Sequence, residues 1–267
     1  MLEQETIEKA RQWCDTGAKW IDSGAFRLGL SHLDRAITIF AESEDVNWLT
    51  YARHQKLRAL FMSKNEDQVE SLQEEIMRGY FLLDDAYGKA LLLSHMAEEL
   101  ARQGRKERAM VNLNLAVATA EAAGLGKFHA HLLAEQAHLF MERENPLRAL
   151  RFYRRAEEVA QKEGLQESAA HARYLIAEAL ARLGENKEAA AWLEDLQTRL
   201  LRAKRFQEAL EPLRLLGRLY EESGLVEEKT RVSQLMYYCG QNVIQSEGSH
   251  RFDQPEARRP APIRKEV

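Results

Sequence analysis

The chain has 267 residues, 45% of them hydrophobic and 30% charged, with a formal net charge of −4. That is enough apolar material for a sizeable core, and the slight negative balance supplies no general attraction to nucleic acid or to an anionic membrane. Ala, Leu, Glu, Arg and Lys dominate and no stretch alternates in the β manner, so the chain reads as all-α.

The opening stretch, MLEQETIEKARQW, is charged and lacks an apolar signal core, and no helix-turn-helix pattern precedes Trp13. A first helical hairpin follows in Trp13, Gly17 and Trp20, a turn at Gly24, then Gly29, Leu33 and Ala36. The second unit keeps only Leu60, Val69 and Ile76 on this pattern, with Asn65 as an N-cap and Gln68 reaching back to it. The third reads Leu93, Ala97, Leu100, Gly104, Ala109, Leu113 and Ala116, and its apolar run ALLLSHMA is far too short to span a bilayer. The fourth reads Leu133, Ala137, Phe140, Ala149, Tyr153 and Ala156, with Asn145–Pro146 as a cap and a first-turn proline. The fifth gives Ala177, Leu180, Gly184, Ala189 and Leu193. The sixth keeps Leu216, Gly217, Tyr220 and Gly224 but loses the second-helix signature at Lys229 and Ser233.

These units repeat. LARQGRKERA at 100–109 returns as LARLGENKEA at 180–189, twice a period of 40 residues. At that period one column is large and apolar: Trp20, Leu60, Leu100, Phe140, Leu180 and Tyr220. Another is mostly small: Gly29, Val69, Ala109, Ala149, Ala189 and Lys229. A third runs Ala36, Ile76, Ala116, Ala156, Leu196 and Met236, and glycine recurs at the breaks, in mid-unit at Gly104 and Gly184 and at unit ends at Gly124 and Gly164. Glycine just past a helical run is the usual left-handed stop. One hairpin cannot bury its own apolar face, whereas stacked hairpins bury a continuous core.

The pattern of an early aromatic or Leu, a small residue, a turn glycine and a small–large–small second helix resembles the tetratricopeptide repeat family over residues 6–243. The period departs from the family's usual 34 residues. The extra six should lengthen mainly the second helix, as in the longer-repeat subclass of kinesin light chains and bacterial peptide-pheromone receptors. The resemblance implies a right-handed α-solenoid of six hairpins over 1–243, binding a partner segment along its concave face. Residues 244–267, with three prolines, mixed charge and the basic RRPAPIRK stretch, are expected to be a disordered tail.

Chemistry is sparse. The sequence holds no phosphate loop, nucleophile elbow, HExxH or cysteine-based metal spacing, so no catalysis, cofactor or metal is expected. Cys14 and Cys239 suit a reduced, cytoplasmic setting as small core residues. His54, His95, His131, His138 and His171 fall on first helices, and His131 and His138 are two turns apart, roughly 10 Å, too far to share a metal.

Carried over from the family, the groove positions form a column of Ala18, Arg58, Glu98, His138, Glu178 and Arg218. A neighbouring column holds Cys14, His54, Ser94, Ala134, Tyr174 and Arg214, with Arg102, Glu142 and Arg182 a turn further on. The candidate partner-binding residues are Arg58, Glu98, His138, Tyr174, Glu178, Arg214 and Arg218, with Phe61 as an added apolar contact. They suit a protein or peptide segment of mixed charge. The Lys–Asn set of the co-chaperone carboxylate clamp is missing, which argues against a chaperone C-terminus as ligand. The expected function is a non-enzymatic scaffold or adaptor, with no nucleic-acid or membrane partner and with self-association through the solenoid ends left open. The alternative is a peptide-sensing regulator whose solenoid changes shape on binding.

Overall fold

The structure, a computed structural model, describes residues 4–63 and 69–252, with the backbone alone from 246 onward. Twelve helices and no strand occur among the described residues. They run in pairs: α1 (Gln4–Asp22) with α2 (Phe26–Glu42), α3 (Val46–Met62) with α4 (Val69–Leu82), and α5 (Ala86–Arg102) with α6 (Lys106–Ala122). Then come α7 (Gly126–Glu142) with α8 (Pro146–Lys162), α9 (Gln166–Arg182) with α10 (Asn186–Arg202), and α11 (Phe206–Glu222) with α12 (Val226–Phe252). The chain divides into two compact units, Met1–Ala169 and Ala170–Val267.

The period of 40 residues is the sum of two equal halves. Nine of the twelve described helices, α2, α3 and α5 to α11, have 17 residues, so both helices of a hairpin share the added length; the expected bias toward the second helix is absent. Every described break places one residue in the left-handed region, at 24, 44, 84, 104, 124, 144, 164, 184, 204 and 224. At Gly104 the motif closes with Gly104 N–H on the Ala101 carbonyl (2.9 Å) and Arg105 N–H on the Leu100 carbonyl (2.8 Å). These bonds satisfy carbonyls that the helix end would leave open. Asn145 caps α8 as expected, accepting from Arg148 N–H at 3.1 Å ahead of Pro146. The Asn65–Gln68 cap lies outside the described residues, as do 253–267. Helix α12 runs on to Phe252, so the expected change of structure at 243–244 does not coincide with a helix end.

Burial follows the columns. Ala109, Ala149 and Ala189 are fully buried, as are Ala36, Ile76 and Ala116. Of the large apolar column, Leu60, Phe140, Leu180 and Tyr220 are buried, whereas Trp20 stays 39% exposed. Cys14 lies in a core cluster with Ile21, Leu33, Phe40 and Ala52, and burial beside Asp15 pushes its thiol up to about 12, so it acts as a small apolar residue. A second cluster joins Leu57, Leu60, Phe61, Leu72, Ile76, Tyr80 and Leu92. Phe61 is therefore a core residue and does not lie on the polar face that carries Arg58.

Candidate functional site

The first helices of the repeats carry the candidate residues, and each compact unit is taken by itself. In the first unit, α3 offers Arg58, whose guanidinium donates to Gln55 Oε1 (2.6 Å) and reaches across to Asp22 Oδ1 on α1 (3.2 Å). On α5, Glu98 is exposed and pairs with Arg102 at 3.6 Å, while Arg102 also meets the buried Glu99 at 3.0 Å. On α7, His138 is exposed, and its Nδ1 is 3.0 Å from the hydroxyl of the buried Tyr153 on α8.

A polar chain that the repeat register did not announce links these helices. The Tyr80 hydroxyl of α4 lies 2.7 Å from His54 Nδ1, and His54 Nε2 lies 3.0 Å from His95 Nδ1 on α5. Ser94 donates to Glu135 on α7 at 2.8 Å, and His131 meets the other oxygen of Glu135 at 3.2 Å. Burial works against the Glu135 carboxylate, but the hydrogen bonds from His131 and Ser94 outweigh it and hold its pKa below the usual range. The same bond to Glu135 raises the pKa of His131. Arg58, Glu98, Glu135 and Arg102 all act electrostatically on His95, so Arg58 and Glu98 converge on it, whereas His138 is tied to Tyr153 instead.

The neighbouring column is therefore not uniformly a surface. Cys14, His54 and Ser94 are buried, Tyr174 is half-buried and Arg214 is exposed. In the second unit Tyr174 and Glu178 of α9 sit near Glu211 and Arg218 of α11: burial, then Glu178 and Glu211, raise the Tyr174 pKa while Arg218 opposes them. Glu178 pairs with Arg182 at 3.2 Å and Arg214 pairs with Glu211, while Arg218 has no ion pair among the described residues. This face thus carries charges of both signs on two adjacent first helices.

Of the five histidines expected on first helices all are there, and His129 of α7 joins them. Among the described residues, no three His, Cys, Asp or Glu side chains gather as a metal site would require. No described helix is long and apolar enough to cross a membrane.

No protein-family model matches the sequence, and no curated protein matches it. Solved structures do match in fold. The nearly identical TPR-like repeats of a putative kinesin light chain from Podosopora anserina align over 77% of this chain and 100% of that one, at 15% identity and a TM-score of 0.59. A signal-transduction ATPase with a tetratricopeptide repeat sensor, from Pyrococcus horikoshii, aligns over 88% of this chain with a TM-score of 0.71 and 12% identity; this chain spans 36% of that protein. A Rap protein solved in complex with competence and sporulation factor aligns over 85% of this chain and 67% of its own, at 15% identity and a TM-score of 0.56. At such identities the likeness establishes the fold, a tetratricopeptide-like repeat of helical hairpins.

Proposed function

We propose that this chain is a non-enzymatic interaction scaffold that holds a partner segment on the polar faces of its first helices. One observation carries the reading. On α9 and α11, Tyr174, Glu178, Arg214 and Arg218 occupy matching repeat positions and remain half-buried or exposed; Glu178, Glu211 and Arg218 act on Tyr174, and Arg214 pairs with that same Glu211. Side chains so placed add little to folding, so their chemistry is available to a partner. Alternating signs suit a segment of mixed charge and disfavour segments in the wrong register. Repeat proteins of this architecture commonly use such faces for recognition.

The double change Arg214→Ala with Arg218→Ala tests the reading. Affinity for a partner recovered from the native source should fall on the order of tenfold, about 1.4 kcal/mol, with the circular dichroism melt unchanged. Unchanged affinity moves the binding surface elsewhere and defeats the proposal. The competing reading, a peptide-sensing regulator, draws on the Rap protein solved with a bound factor. It requires a change in solution scattering when a short peptide binds, and a rigid scaffold shows none.

A further inference from the structure

The hydrogens of the Tyr80–His54–His95 chain can be assigned by elimination. Tyr80 is buried, and its hydroxyl has no partner among the described residues other than His54 Nδ1, at 2.7 Å. Were His54 the donor, the phenolic hydrogen would be buried without an acceptor, a state that native interiors avoid. Tyr80 therefore donates, and His54 Nδ1 accepts. A neutral imidazole that accepts at Nδ1 carries its hydrogen on Nε2. His54 Nε2–H then donates across 3.0 Å to His95 Nδ1. By the same rule His95 must carry its hydrogen on Nε2.

Burial keeps both rings neutral. Desolvation, with His95 and Arg58 nearby, lowers the His54 pKa to about 3, and desolvation and Arg58 lower that of His95. His95 Nε2 has no partner among the described residues and is not among the buried atoms that lack one, so it faces solvent. The charged groups around it are already engaged: Arg58 by Asp22 and Gln55, Arg102 by Glu98 and Glu99, Glu135 by Ser94 and His131. What remains to a ligand is one oriented, uncharged N–H, among charges of both signs: Arg58 and Arg102 on one side of the balance, Glu98 and Glu135 on the other. With the surrounding charges paired to one another, the uncharged N–H is matched by an uncharged acceptor, and an amide carbonyl is the one that every residue of a bound segment carries.

From this juxtaposition we infer that His95 Nε2–H is a recognition point for a main-chain carbonyl of a bound extended segment, with Tyr80 and His54 as the residues that fix its orientation as a donor. The inference rests on the scaffold reading for its ligand, but not for its tautomer.

Long-range proton–nitrogen correlation spectra at about pH 7.5 read the tautomers directly. Both His54 and His95 should be in the Nε2–H form, and Tyr80→Phe should convert His95 to a mixture, with a modest fall in the melt because the buried His54 Nδ1 loses its donor. An Nδ1–H or mixed His95 in the wild type, or a His95 indifferent to Tyr80→Phe, overturns the assignment. The binding probe is a short peptide selected by display on the wild-type protein. His95→Phe should weaken it about fivefold, the size of one lost uncharged hydrogen bond; Tyr80→Phe should weaken it about twofold, because part of the His95 population keeps its hydrogen on Nε2; and the double variant should be no weaker than His95→Phe. A selected peptide indifferent to His95→Phe overturns the recognition point alone. A display that returns no binder overturns the scaffold reading and the recognition point with it.

Discussion

A Cβ built on Gly29 would stand 3.0 Å from the Gly17 carbonyl oxygen, and one built on Gly17 would stand 3.1 Å from the Gly29 carbonyl oxygen. Helices α1 and α2 thus touch backbone to backbone where these glycines face each other. Gly29→Ala gains about 1 kcal/mol in helix propensity. It also drives a methyl group to 2.7 Å from Ile21 Cγ1 and against a carbonyl that cannot yield by rotating. Overpacking of this kind costs about 1–3 kcal/mol, so urea unfolding should show a net loss. Gly240→Ala in α12 is the control, because its Cβ would meet nothing within 4 Å and the propensity gain should stand alone. A stabilised Gly29→Ala would mean that the two helices can separate at no cost.

Ala149 occupies the same repeat position on α8 and is fully buried. Ala149→Glu would place a carboxylate in a close-packed seam. Left unpaired there, the buried charge should cost about 3–5 kcal/mol. Thermal unfolding within a few degrees of wild type would disprove the packing register.

What the sequence made legible follows from what is local. A left-handed residue is demanded by the backbone at each helix end, and glycine answers that demand at six of the described breaks, which exposed the repeat. Small residues in the seam repeat for the same reason. The Tyr80–His54–His95 chain was not legible, because His54 and His95 are 41 residues apart and so fall in different columns, and Tyr80 belongs to the unit whose repeat signal is weakest. Phe61 was misplaced by a single position: it follows Leu60 of the core column, and α3 is buried broadly enough to take both side chains inside. Trp20 satisfies the core pattern yet stays partly exposed, since periodicity tells which face a residue occupies but not what covers it. The groove positions came from family resemblance, and their service in binding awaits the arginine double variant.

Acid should act on the first unit through His54. Its unfolded pKa of 6.5 drops to about 3 on folding, mainly by burial. Between those values the unfolded chain holds a proton that the folded chain refuses. Stability is therefore fully present above pH 6.5 and declines as pH falls below it, by at most about 1.4 kcal/mol per pH unit. His95 shifts in the same direction, while His131, raised by Glu135, contributes stability that is present at low pH and lost as pH rises through its folded pKa. Comparing wild type with His54→Gln isolates the buried ring. Between pH 7 and 5.5 the wild type should lose about 1 kcal/mol more than the variant in urea unfolding. Equal losses would show that His54 is solvated or already charged in the fold.

The 20-residue spacing of left-handed breaks also marks where the chain departs from its own rule. Glu44, Asp84, Glu144 and Lys204 hold positive φ angles of 50–57° with side chains that carry a Cβ, in the role that glycine fills at the other described breaks. A non-glycine residue there costs about 1–2 kcal/mol. Replacement by glycine returns part of that to unfolded-chain entropy, roughly 0.5–1 kcal/mol. Lys204 gives the cleanest test. Its backbone N–H closes on the Leu201 carbonyl at 3.0 Å and Arg205 N–H on Leu200 at 2.9 Å, so the motif itself is complete. Lys204→Gly should stabilise the protein by up to about 1 kcal/mol, read as a higher urea midpoint at unchanged slope. Lys204→Ala keeps the Cβ and should gain nothing. If the alanine variant matches the glycine variant, the gain comes from removing the lysine side chain, and backbone strain at the break is not its source.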